Sequence, residues 1–419
     1  MNKPNLKNKK KEALISFYDD NIIVDTILTN YTTNFIVFDR KSNTNSIKKT
    51  VTINWKEFGT ISWSSTFLTS GSILFPSELM EYWTQKDLLK DINDYLYKYI
   101  DIPQDYRIIS TYYILLTYLY PNFSEIPYLR VIWDYGSWKS RLLKTIWSIC
   151  YNPMITNWWT SLSAIFRMIE KFKWTLVIDE ADMSYSDTNN EMIKLFNNGY
   201  QKWNPIMRAD WEWFEPRCYE VFCPKLIWWR MEFRDKATES RCLTNIMKRS
   251  NRKDLPIWLD SEFYNEWLIL RNKLLKFKFD NFYNIKLKNT LIEWIEPRLN
   301  QIINPILSLV QIKDVEKLII NSIKSKQNEI KIDRKNSLLW AILWIFFIKF
   351  KWKNELYYMD ILNDLENIEW RMNFTTRKLW SLLKQNWLKW YRKNDWTVIR
   401  FDENVNELQR LYEEYSIIT

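Results

Sequence analysis

Apolar and polar residues alternate in the first part of the chain. "NFIVFD" (34–39) and "TVTINWKEFGTISW" (50–63) have strand period and are broken by turn residues, so residues 13–80 are expected to be β-rich. From 81 to 120 the period lengthens to that of a helix and stops at Pro121. Residues 126–250 alternate short apolar strands with helices, the pattern of an α/β domain. Residues 256–325 are helix-patterned and charged, and the polar stretch "SKQNEIKIDRKN" (325–336) reads as a linker. The last segment, 337–405, reads as three helices and a hairpin. The domains expected are a β-rich N-terminal region at 1–80, a helical connector at 81–125, a core at 126–250, a helical lid at 251–330 and a C-terminal domain at 335–419. The longest apolar run, Leu338–Ile348, is too short to cross a bilayer. The basic start "MNKPNLKNKKKEAL" lacks the apolar stretch of a signal peptide, so a soluble, cytoplasmic protein is expected.

Composition changes that picture at one point. The chain has 25 Trp and 4 Gly. Together they make up about 7% of the residues, the share that glycine alone normally takes. Trp also follows Asn or Asp at Asn54-Trp55, Asn157-Trp158, Asn386-Trp387, Asp210-Trp211 and Asp395-Trp396. These are turn positions where positive φ favours glycine and a bulky side chain is strained. One reading is that most of these residues are encoded by UGA, which some bacterial lineages decode as glycine. The other is a genuinely Trp-rich chain, such as an aromatic binding module.

Net charge is +10, which favours a polyanionic partner, although an AT-rich genome would also enrich Lys. The four cysteines form no C-x-x-C pair and there is no histidine, so neither a zinc site nor a disulfide framework is expected. Without histidine, proton transfer falls to carboxylates, Lys or Tyr.

The segment "VIWDYGSWKS" (131–140) carries the chemistry. With glycine at Trp133 and Trp138 it becomes G-x-x-x-x-G-K-S, a phosphate-binding P-loop. A short buried strand, 128–132, precedes it, and the amphipathic "KSRLLKTIWSI" follows. The turn Trp133, Asp134, Tyr135, Gly136, Ser137 and Trp138 would wrap ATP phosphates with backbone N–H groups. Lys139 would reach the β- and γ-phosphates, and Ser140 would ligate Mg²⁺. Forty residues after Lys139, "TLVIDEAD" ends a buried strand in Asp179 and Glu180. Asp179 would hold the Mg²⁺ water shell and Glu180 would polarise the attacking water.

The run from "IPYLRVIWDYGSWKSRLL" through "VIDEADMSYSDTNNEMIKLFNNGYQKWNPIMR" to "FCPKLIWWRMEFRDKATESRCLTNIMKR" resembles AAA+-type ATPases of phages, plasmids and integrated elements, which are similar to superfamily 3 helicases. The resemblance covers roughly 110–310. It implies an α/β fold: a P-loop NTPase core with a parallel sheet and a helical lid, working as a homo-oligomeric ring on DNA. It further implies that Arg241 is a finger acting on a neighbour's γ-phosphate, the alternative being a surface salt bridge. Arg298 matches a second-sensor arginine of the lid. "NPIMRADWEWFEPRCYEVFC" reads as strands 204–210 and 217–223, a hairpin whose Arg208, Phe214 and Arg217 would touch DNA; an ordinary surface hairpin is the other reading. The strand Tyr219–Cys223 should be followed by a polar sensor residue, but "PKLIWWR" follows, and this departure weakens the helicase assignment.

Residues 374–401 resemble a winged helix. Thr375 or Thr376 would cap a recognition helix with Leu379, Leu382 and Leu383 inward, and a hairpin turned at Asp395-Trp396 would be the wing. Arg377, Lys378, Lys384, Arg392 and Lys393 are its candidate DNA contacts; protein docking is the alternative. Three functions remain open: an ATP-driven DNA motor, a P-loop switch ATPase with a DNA-binding C-terminus, and a Trp-rich binding protein with a dead nucleotide site.

Overall fold

The structure is a computed structural model and describes residues 12–133, 139–157, 160–179, 187–209, 216–229, 233, 235–247, 250, 252–335, 338–367, 383–384, 386, 388–393, 396–414 and 417. The chain divides into two compact units, Met1–Ser322 and Ile323–Thr419.

The first unit opens with seven strands: β1 (Glu12–Leu14), β2 (Ser16–Tyr18), β3 (Ile22–Thr29), β4 (Thr32–Asp39), β5 (Thr44–Lys48), β6 (Thr50–Ile53) and β7 (Lys56–Thr60), of which β4, β6 and β7 lie in the alternating stretches. β2 to β5 form an antiparallel meander, and β1, β7 and β6 a second sheet in that order. Two-residue loops close both the β3–β4 and β6–β7 hairpins. Their residues all lie at positive φ: Asn30 at 48°, Tyr31 at 60°, Asn54 at 48° and Trp55 at 64°. That is the loop geometry matching right-twisted strands, and it favours Asn followed by Gly.

A short helix, α1 (Thr66–Thr69), leads to α2 (Gln85–Tyr99) and α3 (Gln104–Leu119). The Thr84 side chain caps α2 by accepting from the Asp87 N–H, and Leu88, Ile92, Tyr95, Leu96 and Tyr99 form its buried stripe.

The centre is a five-stranded parallel sheet of β8 (Tyr128–Trp133), β9 (Pro153–Asn157), β10 (Thr175–Asp179), β13 (Lys225–Trp229) and β14 (Cys242–Met247). The strand order is β14-β8-β13-β10-β9. The helices α4 (Lys139–Trp147), α5 (Leu162–Phe172), α6 (Asp187–Asn198) and α7 (Lys236–Glu239) connect these strands. Ser161 caps α5, whose Leu162, Ile165, Phe166, Ile169 and Phe172 are buried. Burying these five side chains is worth roughly 10 kcal/mol before entropy is counted. The same core takes in Ile15, Ile61, Leu68, Ile73 and Phe75, so the N-terminal strands share a core with the parallel sheet.

Between β10 and β13 lies an antiparallel hairpin, β11 (Ile206–Ala209) and β12 (Pro216–Tyr219). The expected strand Tyr219–Cys223 is not formed: β12 ends at Tyr219 and the next sheet strand starts at Lys225. The reason lies in Lys225, whose buried Nζ donates to the carbonyls of Gly199 (2.9 Å), Val221 (3.1 Å) and Cys223 (3.0 Å). Two of the connection's carbonyls are thereby taken from any ladder. Gly199 is required there, since a Cβ would lie 2.6 Å from the Val221 carbonyl oxygen and 2.8 Å from that of Leu195.

After the sheet come the helices α8 (Ser261–Asn281), α9 (Pro297–Leu307) and α10 (Lys313–Lys335), the last running across the boundary between the units. The stretch expected as a linker, 325–336, is helical through Lys335, because its Lys, Gln, Glu and Ile favour helix and it holds no Gly or Pro. A buried trio joins three distant parts of this unit. Lys278 Nζ donates to Asp25 Oδ2 at 2.6 Å and to Tyr151 Oη at 2.7 Å, and Tyr151 Oη donates to Asp25 Oδ1. Burial pushes the Asp25 carboxyl up and the Lys278 ammonium down from their usual ranges.

The second unit comprises α11 (Leu338–Lys349), β15 (Glu355–Tyr357), α12 (Tyr358–Asn367), β16 (Tyr391–Lys393), β17 (Trp396–Arg400) and α13 (Val405–Glu414). Its antiparallel sheet has the order β15-β17-β16. Ile342, Phe346, Ile361, Leu365, Ile399 and Leu408 form its core. Buried Asn404 ties the segment before β16 to the end of β17: Nδ2 donates to the Lys389 and Arg400 carbonyls at 3.0 and 2.7 Å, and Oδ1 accepts from the Lys389 N–H at 2.6 Å. No helix among the described residues is long and apolar enough to cross a membrane.

Candidate functional site

β8 is the strand at which the sheet order reverses. β13 and β14 flank it, while the chain leaves β8 for β9 at the far edge. In parallel sheets ligands bind outside the carboxyl ends of the strands at such a point. Trp133 ends β8 and α4 begins at Lys139. The turn residues Asp134, Tyr135, Gly136, Ser137 and Trp138 lie outside the described residues. On α4, Leu142, Leu143 and Ile146 are buried while Ser140 is exposed in the first turn.

Asp179 ends β10 at the same edge, half-buried and in register with Asn157. One strand, β13, separates β10 from β8, so the two strand ends are about 10 Å apart. Glu180 follows outside the described residues. The sheet therefore brings the end of β8 and the acidic end of β10 to one edge.

Arg241 and Arg298 lie elsewhere. Arg241 precedes Cys242, whose register partner is Tyr128 at the start of β8. It therefore sits near the opposite edge, roughly 20 Å from the end of β8 across a six-residue strand. Its guanidinium faces its own domain: the residue is 6% exposed, donates to Asn197 Oδ1 at 2.6 Å and lies 4.3 Å over the Tyr200 ring. Arg298 on α9 reaches the same tyrosine, donating to Tyr200 Oη at 2.9 Å and to Gln301 Oε1 at 3.2 Å. Arg298 is thus held at the tyrosine that Arg241 also covers. A finger role for Arg241 would require it to leave Asn197 and Tyr200. An arginine just before a strand, or on a helix, carries no sequence signal of the edge it will face.

The hairpin arginines are also engaged at home. Arg208 and Arg217 are cross-strand partners. Arg208 pairs with Glu191 at 2.8 Å and lies over Phe166, and Arg217 pairs with Glu170 at 3.0 Å. Met207 and Cys218 are exposed on the same hairpin. Phe214 lies outside the described residues.

In the second unit the expected hairpin is present as β16 and β17, with Lys393 opposite Trp396. Arg392 and Lys384 are exposed. Lys393 and Arg400 both pair with Glu355, at 2.8 and 2.9 Å, and these cations hold the Glu355 carboxyl below its usual range. Leu388 N–H donates to the Leu383 carbonyl at 3.1 Å, a six-to-one bond at the helical residues Leu383 and Lys384. Arg377 and Lys378 lie outside the described residues. Sequence reasoning passed over Arg141 altogether, although it stands beside Ser140 and proves to be a buried cation.

No protein-family profile matches the chain, and no curated protein matches it. Among solved structures, the chain is similar to the A-form apo structure of the NrS-1 C-terminal region, with TM-score 0.36 and 9% identity over 90% of this chain and 96% of that one. It is also similar to an apo structure of the NrS-1 C-terminal region (305–718), with TM-score 0.33 and 10% identity at the same coverage.

Proposed function

We propose that this chain is a Mg²⁺-dependent P-loop ATPase that acts on DNA, with glycine where Trp133 and Trp138 are read. The observation that carries this is the meeting at one edge of a parallel sheet of the end of β8, which α4 follows in the chain, and the acidic end of β10. Lys139 and Ser140 would hold the phosphates and Mg²⁺, Asp179 the metal's water shell, and Glu180 would take a proton from the attacking water. In the glycine form, Lys139→Ala is expected to abolish ATP binding. Glu180→Gln is expected to keep binding but to slow phosphate release by about 100-fold or more, since only water activation is lost. Calorimetric nucleotide binding and single-turnover hydrolysis check both; equal loss of binding in the two variants sinks the assignment.

The glycine reading has structural support. Trp55, Trp83 and Trp203 lie at φ of 64°, 62° and 57° and are 100%, 84% and 83% exposed. A large apolar side chain gains nothing there, and left-handed backbone costs it energy. Conversely, the enclosed indole N–H groups of Trp147, Trp174 and Trp228 have no acceptor, whereas a buried Trp normally finds one.

For DNA, the winged-helix reading of the second unit rests on the β16–β17 hairpin, the six-to-one bond from Leu388 to Leu383 and the exposed cations Lys384 and Arg392. Arg392→Ala should flatten the log–log salt dependence of duplex binding by about one phosphate contact, or roughly 0.9. Lys393→Ala should change it less, because Glu355 already holds that ammonium. Equal slopes for wild type and Arg392→Ala would remove the hairpin from the DNA surface. A second reading, a switch ATPase that completes its site within one chain, is favoured by the inward placement of Arg241.

A further inference from the structure

Arg141 follows Ser140 on α4 and is 8% exposed. Its Nη1 donates to the Pro256 carbonyl and its Nη2 to the Ile257 carbonyl, the latter at 2.6 Å. Both carbonyls belong to the segment 250–260, a strap that joins β14 to α8. The strap is pinned at its other end too. Ser250 Oγ donates to Asp101 Oδ2 at 2.7 Å. Arg252 Nη1 donates to the carbonyls of Tyr97 (2.7 Å) and Ile100 (3.3 Å), with its guanidinium 4.1 Å over the Tyr97 ring. Between the two anchors, Leu142 of α4, Leu255 of the strap and Met247 of β14 enclose a cavity of about 10 Å³ with the end of α2, room for about one water. There is little slack between the first turn of α4 and the strap.

We propose that Arg141 is a positioning residue that transmits occupancy of the phosphate turn to α8 through this strap. The inference rests on the P-loop reading above. Arg141 directly follows exposed Ser140 in the first turn of α4, so the turn that would meet the phosphates also grips the strap. A shift of this turn when phosphates bind changes both guanidinium hydrogen bonds together, and the strap ends where α8 starts, at its Asp260 cap. The fork matters: two neighbouring carbonyls need two donors at fixed separation, which guanidinium has and ammonium lacks.

The test uses hydrogen exchange on the full chain with glycine at 133 and 138, with and without Mg²⁺ and the non-hydrolysable analogue AMP-PNP. In the unsubstituted chain, AMP-PNP should slow exchange both in α4 and in the strap. In Arg141→Met, AMP-PNP should still bind, α4 should still be protected, and protection of the strap should be lost; kcat should fall about tenfold with KM nearly unchanged. Arg141→Lys should fall between the two, and it carries the same comparison if the Met variant does not fold. Strap protection that survives in these variants, or that is absent in the unsubstituted chain while α4 is protected, overturns the inference alone. An unsubstituted chain that binds no AMP-PNP overturns the P-loop reading, and the inference with it.

Discussion

Replacing Trp133 and Trp138 by glycine should turn a chain that does not hold Mg²⁺-ATP into one that does, with at least a 100-fold gain in affinity. The gain corresponds to about 2.7 kcal/mol or more. Phosphate loops bind through backbone N–H groups that converge on the anion, which requires backbone conformations open to glycine and no side chain inside the cradle. Trp133 ends β8, and Trp138 directly precedes α4, where an indole would stand before the helix N-terminus that should receive the phosphate. The same replacement at Trp55, Trp83 and Trp203 should leave binding alone and raise stability by about 1 kcal/mol per site, as left-handed strain is relieved. Nucleotide titration and urea unfolding separate the two effects. Equal ATP affinity in the Trp and Gly forms, or indole-containing peptides at 133 and 138 in protein from the source cell, defeats the reading.

Lys278→Met should destabilise the first unit by about 3–5 kcal/mol, the cost of leaving a buried carboxylate without its cation. Asp25 and Lys278 are 1–2% exposed at the side chain, so water cannot replace the lost partner. Asp25→Asn in the Lys278→Met background should recover much of that loss, because the stranded charge is gone and Tyr151 can still donate to the amide oxygen. Urea midpoints for the single and double variants give the coupling. Singles costing under about 1 kcal/mol, with no recovery in the double, would mean that the trio is not a charged pair in the folded protein.

The parts of the fold that were legible share a local cause. Alternation marked the stretches that hold β4, β6 and β7. The strand before Lys139 and the helix it begins were legible because a buried run and an amphipathic stripe follow one another within twenty residues. The two-residue turn at 54–55 was marked by Asn before a glycine-like position. What failed depends on contacts between distant segments. The end of β12 at Tyr219 is set by Lys225 claiming the Val221 and Cys223 carbonyls, which a continuous apolar run hides. That Arg241 and Arg298 both meet Tyr200 was not legible either, because helix and strand periodicity cannot say which edge of a sheet a residue reaches. Asp25 had a faint signal, a carboxylate interrupting the apolar run "NIIVDTIL"; its partner Lys278 lies 253 residues away and had none.

The tight turn at Asn54 and Trp55 also bears on where this gene can be used. Trp55 is the first Trp in the chain. If its codon is UGA, a cell with the standard genetic code terminates there and releases a peptide ending at Asn54. That peptide would contain β1 to β6 but neither β7, which holds β1 and β6 together, nor Lys278 to neutralise Asp25. No folded product would follow from transfer of the gene into such a cell. The codon at one hairpin would thus act as a barrier to inheritance across lineages, confining the protein to hosts and mobile elements that share one translation code.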